Sequence, residues 1–400
     1  MSLQRVAFSP LHTFTRATDE TFFNQIVDSF GNVSYELQTA PSGTAVQNAY
    51  NPSTGEPLGL QVFEQRTNLF LRSQEFDSAN WSKTNTVITA NAITAPDGTL
   101  TAEKAVATSV SGVHTVAQAV GGTVGSYTFS AFVKAAEYDV VRVNTGTSAN
   151  GFAEFNLTNE TFTSGGTYFT SASIISVGDG WFRISLTMTD VPQISWGIVM
   201  MLDGQIIFTG DDVSGVYLWG LQVEAGSFPT PYIKTEATTA TRNASVAVIN
   251  DIDESEWWNP SEGTFVVELT RSSVNAIRSE RIIEVSDGTT ANRVLIQKAA
   301  GLNLGQIITI NGGVSVINDF TISQALDSVK IAFNLTSSAF KLSLNGGSVA
   351  SFSETIPLSG FSQLRIGTAI TGMFLNGHIA KIQYYPTAVS DAKLQELSTL

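Results

Sequence analysis

The stretch GDGWFRISLTM at 178–188 alternates, with Phe182, Ile184, Leu186 and Met188 on one face and Trp181, Arg183, Ser185 and Thr187 on the other. A period of two is that of a β-strand, whose successive side chains point to opposite sides of a sheet. With the aliphatic set turned to a core, the other face offers an aromatic plate beside a guanidinium. Such a plate stacks on the apolar face of a sugar ring, while charged and amide groups take the hydroxyls. The same phase puts Arg142 and Asn144 opposite Val141 and Val143, and Gln222 and Glu224 opposite Trp219, Leu221 and Val223. Trp181, Arg183, Arg142, Asn144 and Gln222 are therefore the candidate ligand set. The competing reading is structural: an outward aromatic also covers loops, and an outward arginine also pairs with a buried acid.

Catalytic patterns are missing. His12, His114 and His378 lie in different segments without metal-ligand spacing, and there is no nucleophile elbow, phosphate loop or dinucleotide fingerprint. A glycosidase would need two carboxyls about 5 Å apart, or somewhat more for inversion, which a sequence does not measure. No catalytic residue is assigned, and the chain is expected not to be an enzyme. The acidic pairs Asp211–Asp212 and 251–254 suit oxygen-liganded calcium, although the glycine of an EF-hand loop is absent.

The elements that must hold the ligand set come next. The stretch 215–226, GVYLWGLQVEAG, reads as a strand with Tyr217, Trp219, Leu221 and Val223 on one side. Its distant partner is 67–81, TNLFLRSQEFDSANW, and the two open and close one all-β domain over 66–235. Between them, strand patterns at 103–107, 113–120, 127–134, 140–144, 151–157, 181–188 and 194–201 are separated by glycine-rich turns. About eight to ten strands at this spacing fit a two-sheet jelly roll. Trp81 reads as core; Trp196 is ambiguous. Residues 236–261 read as a linker, within which Trp257 and Trp258 anchor one sandwich on the other. From 262 to 400 a second β pattern runs through TFVVELT, RIIEVS, RVLIQ, QIITI, VKIAFNL and FKLSLNGGSVASF, with LNGG at 344–347 as a hairpin turn. Ser390 can cap a last helix carrying Leu394, Leu397 and Leu400. Residues 1–65 are turn-rich, with strand-like pieces at 22–27 and 33–37. They are too broken to bury a core alone, and are expected to attach or oligomerise the chain.

Totals narrow the function classes. Charged residues make up 14%, and the formal charge is −14. That balance argues against a phosphate backbone as partner and against adhesion to anionic lipid. The chain has no cysteine, hence no disulfide framework, and no apolar run approaches the ~18 residues of a membrane span. No signal-peptide core is seen near residue 1. No nucleic-acid partner and no membrane insertion are expected.

The frame TFTRAT…DSFGNV…YNPSTGEPLGLQVFEQRTNLFLRS, followed by DSANW and closed by GVYLWGLQVEAG, resembles the leader and jelly-roll carbohydrate-binding modules of bacteriophage fibre and head-spike proteins. The ending LNGHIAKIQYYPTAVSDAKLQELSTL resembles the last strand and helix of concanavalin-like, laminin-G-type sandwiches. The resemblance implies an all-β chain: a short irregular β-rich N-terminal segment, a jelly-roll sandwich, then a concanavalin-like sandwich. It implies a binding groove on a concave sheet face, where Trp181, Arg183, Arg142, Asn144 and Gln222 would converge. It also implies a structural calcium, with Glu75 and Glu224 as the expected ligands. The implied role is a virion appendage of identical chains that binds a bacterial surface glycan for adsorption and is joined to other virion proteins. A connector or decoration protein, or a polysaccharide depolymerase, is the alternative.

Overall fold

The computed structural model describes residues 14–15, 20–27, 33–40, 49–51, 54–146, 149–191, 194–271, 279–300, 304–322 and 328–400; of 14–15, 20–27, 33–40, 50, 194, 271 and 304 it describes the backbone only. His12 and the side chains of Phe22, Phe23, Ile26 and Val27 lie outside the described residues.

Alternating strands build two antiparallel sandwiches. The jelly roll has one six-stranded sheet in the order Phe169–Ser176, Trp181–Val191, Gly125–Ala135, Gly215–Ala225, Ala102–Ala107 and Thr86–Ile93. Its second six-stranded sheet runs Thr161–Gly165, Phe152–Asn156, Val140–Thr145, Ile194–Met201, Thr115–Val120 and Ser82–Thr84. The chain crosses between the sheets at most connections, the mark of a jelly roll. Inward side chains from both sheets, among them Phe129, Val141, Phe155, Ile184, Leu186 and Trp196, make one core. Trp81 joins it as expected, 2% exposed, its indole Nε1 donating to the Arg72 carbonyl at 2.9 Å.

The concanavalin-like sandwich pairs two seven-stranded sheets. Here the chain departs from a simple succession of units. Pro57–Val62, from the presumed attachment segment, pairs with Gly377–Tyr385, and Leu60 and Val62 sit in the second core. The presumed linker carries Val246–Ile249, which pairs with Gln363–Ile366 and sends Ala247 and Ile249 into that same core. The jelly roll is thus inserted into the other sandwich. The outgoing strand Arg66–Asn68 and the returning strand Ala240–Arg242 pair at the junction, and the Phe63 carbonyl accepts from Ser245 N at 2.9 Å.

Trp257 and Trp258 do not bridge the sandwiches. Both pack on Tyr384, with ring centroids 5.3 and 5.4 Å away, inside the second one. The hairpin at 344–347 forms with Asn345 and Gly346 at φ 47° and 74°, the left-handed region that Asn and Gly tolerate. Ser390 Oγ caps the helix Asp391–Ser398 by accepting from Lys393 N. Leu394 is buried against Val266, Ala332 and Tyr385, with Leu397 beside it, whereas Leu400 is exposed. Upstream, the backbone of Glu20–Val27 and Val33–Ala40 forms a hairpin.

Candidate functional site

The candidate ligand set separates onto two sheets. Trp181, Arg183 and Gln222 belong to the sheet containing Gly125–Ala135, while Arg142 and Asn144 belong to the opposite one. They do not converge.

The first group is also closed over. Residues 228–235 fold back across the outer face of its sheet, where Phe228, Thr230, Tyr232 and Thr235 are buried. Trp181, 2% exposed, packs with Phe132, Trp219 and Tyr232 in a small second core, and its Nε1 donates to the Thr94 carbonyl at 3.2 Å. Arg183 Nη2 donates to the Thr230 carbonyl at 2.5 Å, and Gln222 Oε1 accepts from Ile233 N at 2.8 Å. These three residues tie the chain to itself and are not a ligand face.

Gly220 explains why the phase of 215–226 was misread. It sits at φ 58°, and the pairing shifts register between Ser130 and Phe132. That bulge inverts the alternation mid-strand. Val216 and Leu218 face the main core before it, and Leu221 and Val223 after it, whereas Trp219 lies in the small second core and Tyr217 packs against that core.

The expected calcium ligands are apart as well. Both Glu224 oxygens are engaged: Oε1 accepts from Thr230 N at 2.7 Å and Gln222 Nε2 at 2.9 Å, and Oε2 accepts from Thr230 Oγ1 at 2.7 Å. Glu75 pairs with Arg72 at 3.0 Å. In the loop after Glu75 a cation is already present, because the Lys83 ammonium donates to the carbonyls of Phe76, Asp77 and Ser78 at 3.3, 2.9 and 2.7 Å. Asp211 is spent on its own turn, accepting from Val213 N and Ser214 N. Among the described residues no three His, Cys, Asp or Glu gather as a metal site.

Beside that loop lies Glu103, 3% exposed, its Oε2 accepting from Phe76 N at 2.6 Å. Burial pushes its carboxyl up to about 7 against that hydrogen bond, with Asp77 and Glu75 adding to the rise. A carboxyl that holds its proton more tightly when folded stabilises at low pH, and that contribution fades as pH rises through about 7. About 1–1.5 kcal/mol should be lost between pH 6 and 8. Denaturant melts at pH 6 and 8 should show the jelly roll of the parent chain losing this much more stability than that of Glu103→Gln; equal slopes would remove Glu103 as the cause.

The outer face of the other sheet is buried at Gly197, Val199 and Arg142 and half-buried at Thr115, Ala117, Asn144, Phe152 and Glu154. Two rows cross it. One runs Thr84, Thr115, Val199, Arg142, Glu154, Thr163; the next runs Ser82, Ala117, Gly197, Asn144, Phe152, Gly165. Their inward neighbours Val141, Val143, Ala153, Phe155 and Ile198 are core, so the phase read from the sequence holds for Arg142 and Asn144. Gly197 and Ala117 make a low floor: a Cβ on Gly197 would stand 2.8 Å from that of Ala117. The half-buried Phe152 ring rises beside it, with the Arg142 guanidinium 3.8 Å above. Arg142 Nη1 reaches Glu154 Oε1 at 3.2 Å, and Glu154 Oε2 accepts from Thr163 Oγ1 at 3.2 Å. Arg142 Nε is buried without a hydrogen-bond partner. Phe152 was missed because its strand is short and its aromatic neighbour Phe155 points inward. The alternation FAEFN, once anchored on buried Ala153 and Phe155, would have placed Phe152 and Glu154 outside.

No family profile and no curated protein match the chain. Among solved structures, the mouse laminin alpha1 chain domains LG4-5 are similar at 9% identity and TM-score 0.26, covering 69% of this chain and 86% of that one. The LG1-3 region of the laminin alpha2 chain is similar at 10% identity and TM-score 0.27, covering 71% and 66%. The N-terminal CBM22-1-CBM22-2 tandem domain of Paenibacillus barcinonensis Xyn10C is similar at 9% identity and TM-score 0.26, covering 82% and 100%. The assignment of a jelly roll rests on the strand order described above, and that of a concanavalin-like sandwich on its two packed seven-stranded antiparallel sheets.

Proposed function

We propose that the jelly roll binds a carbohydrate on the outer face built by Phe152, Asn144, Arg142 and Glu154, and that the chain is a binding protein and not an enzyme. The observation that carries this reading is the half-buried Phe152 ring, one face under the Arg142 guanidinium, beside the Glu154 carboxylate and the half-buried Asn144 amide. An aromatic plate with convergent donors and acceptors fits the two-sided chemistry of a sugar, apolar on its C–H face and polar at its rim.

The wider role is a bacteriophage appendage that adsorbs to a host surface polysaccharide. It is supported by the resemblance of the leader and of the two strands that bound the jelly roll. One such face binds weakly, and an oligomer of identical chains would gain roughly 10²–10⁴-fold by engaging a repetitive glycan at several points. The hairpin of Glu20–Val27 and Val33–Ala40 is our choice for attachment to other virion proteins, since Phe14–Thr15 and Pro57–Val62 are committed to the second sandwich.

The test is a glycan array or capsule pull-down on the parent chain, then on Phe152→Ala and Asn144→Ala. Phe152→Ala should weaken binding by about 1–3 kcal/mol, roughly 5–150-fold, through lost stacking and burial. The melting temperature should stay nearly unchanged, because Phe152 lies outside the core. If the parent binds no glycan, a connector role takes over; if it shortens the polysaccharide, a depolymerase does. Undiminished binding by both variants moves the site off this face.

A further inference from the structure

Three arginines gather on the outer face of the second sandwich, away from the glycan face. Arg281 and Arg293 are 2% and 9% exposed, and Arg365 keeps 19% of its side chain exposed. Among the described residues the acid paired with them is Glu284, fully buried, whose Oε2 meets Arg293 Nη1 at 3.1 Å and whose Oε1 lies 4.0 Å from Arg365 Nε. That same Oε1 also accepts from Ile370 N at 3.1 Å, so Glu284 has little capacity left. Along the row Arg281, Gln297, Gln306 and Asp319, the Asp319 carboxylate accepts from Gln306 on an exposed edge.

Among the described residues these three guanidiniums pair with one carboxylate, in a chain of formal charge −14. Donors are in excess. Arg281 Nε and Nη1, Arg293 Nε and Arg365 Nε are buried and make no hydrogen bond, and Arg281 Nη2 contacts only the Met373 sulfur, at 3.3 Å. Burial, with Arg293 nearby and Glu284 opposing, pulls the Arg281 guanidinium down to about 10, which still leaves it charged at neutral pH. Unpaired buried guanidinium nitrogens are costly and call for a partner, and the planar fork of arginine matches carboxylate and phosphate geometry.

We infer that Arg281, Arg293 and Arg365 form a site for a small oxyanion, a free phosphate or the carboxylate of an acidic sugar, admitted past the partly exposed Arg365. Glu284 holds two of the guanidiniums in position, and the anion completes their hydrogen bonds. The site is independent of the glycan face, and the two readings can fail separately.

The experiment is thermal melting of the full chain at constant ionic strength, with inorganic phosphate and separately with glucuronate, for the parent, Arg365→Gln and Arg281→Met. The parent should show a saturable rise of about 3–5 °C at tenfold excess over Kd, absent from both variants. A rise with phosphate alone identifies a free ion; a rise with both admits an acidic sugar. Arg365→Gln, at the exposed rim, decides the matter if Arg281→Met fails to fold. No rise in the parent, or the same rise in parent and Arg365→Gln, overturns the site.

Discussion

Trp181→Ala should destabilise the jelly roll by about 3–5 kcal/mol, the cost of emptying a large buried aromatic site. The indole is 2% exposed and packs with Phe132, Trp219 and Tyr232, the last two rings standing 5.0 Å apart. Its neighbour Phe182, 8% exposed, faces the main core on the other side of the strand, so Phe182→Ala should cost a similar amount. Both sides of this strand are interior, and melting should not tell them apart. Glycan binding by the folded fraction of Trp181→Ala should equal that of the parent. An unchanged denaturation midpoint with binding abolished would instead mean that the face is open and that recognition occurs there.

Glu224→Gln should cost about 3 kcal/mol, because it removes the buried carboxylate that opposes the Arg183 guanidinium, although Arg66 keeps Glu64 as its other partner. Glu224 is wholly buried, lies 3.5 Å from Arg66 Nε, and holds the covering segment through Thr230 N and Oγ1. Burial pulls the Arg183 guanidinium down to about 10, and Glu224 acts against that. The glutamine keeps the shape, loses the charge and can accept only part of these bonds. Amide exchange should report the damage first at Thr230 and Ile233, whose N–H groups bond Glu224 and Gln222. A loss below 1 kcal/mol would show that neutral hydrogen bonding holds the segment.

The strands that contribute full rows to a core were legible. Gly125–Ala135, Val140–Thr145 and many strands of the second sandwich beyond residue 262 announce themselves by alternation or by apolar runs, whereas its strands Pro57–Val62 and Val246–Ile249 read as attachment segment and linker. Thr86–Ile93, Thr161–Gly165 and Phe169–Ser176 were not, because they are sheet edges with few buried positions and a composition rich in Ser and Thr. The site suffered from a different limit. Phase tells which side of a strand a residue occupies, but says nothing of what later chain lies on that side. The segment 228–235 turned one polar face into an interior, and a single left-handed glycine, Gly220, reversed the reading of the strand beneath it. For Arg142 and Asn144 the phase was legible, because Val141 and Val143 beside them are core.

Inserting one sandwich into the other also sets a timetable for synthesis. Gln61 bonds His378 across 317 residues of sequence, roughly 15–60 s of translation at 5–20 residues per second. The inserted jelly roll has its own core and can fold as soon as its closing strand emerges, while Pro57–Val62 waits with a bare edge. A chain stalled before Gly377 would thus carry a finished jelly roll on a sandwich lacking the strand that joins Pro57–Val62 to Glu262–Arg271, with exposed hydrogen-bonding edges that invite proteolysis or aggregation. Displaying that jelly roll stably therefore depends on the ribosome having reached the far end of the message.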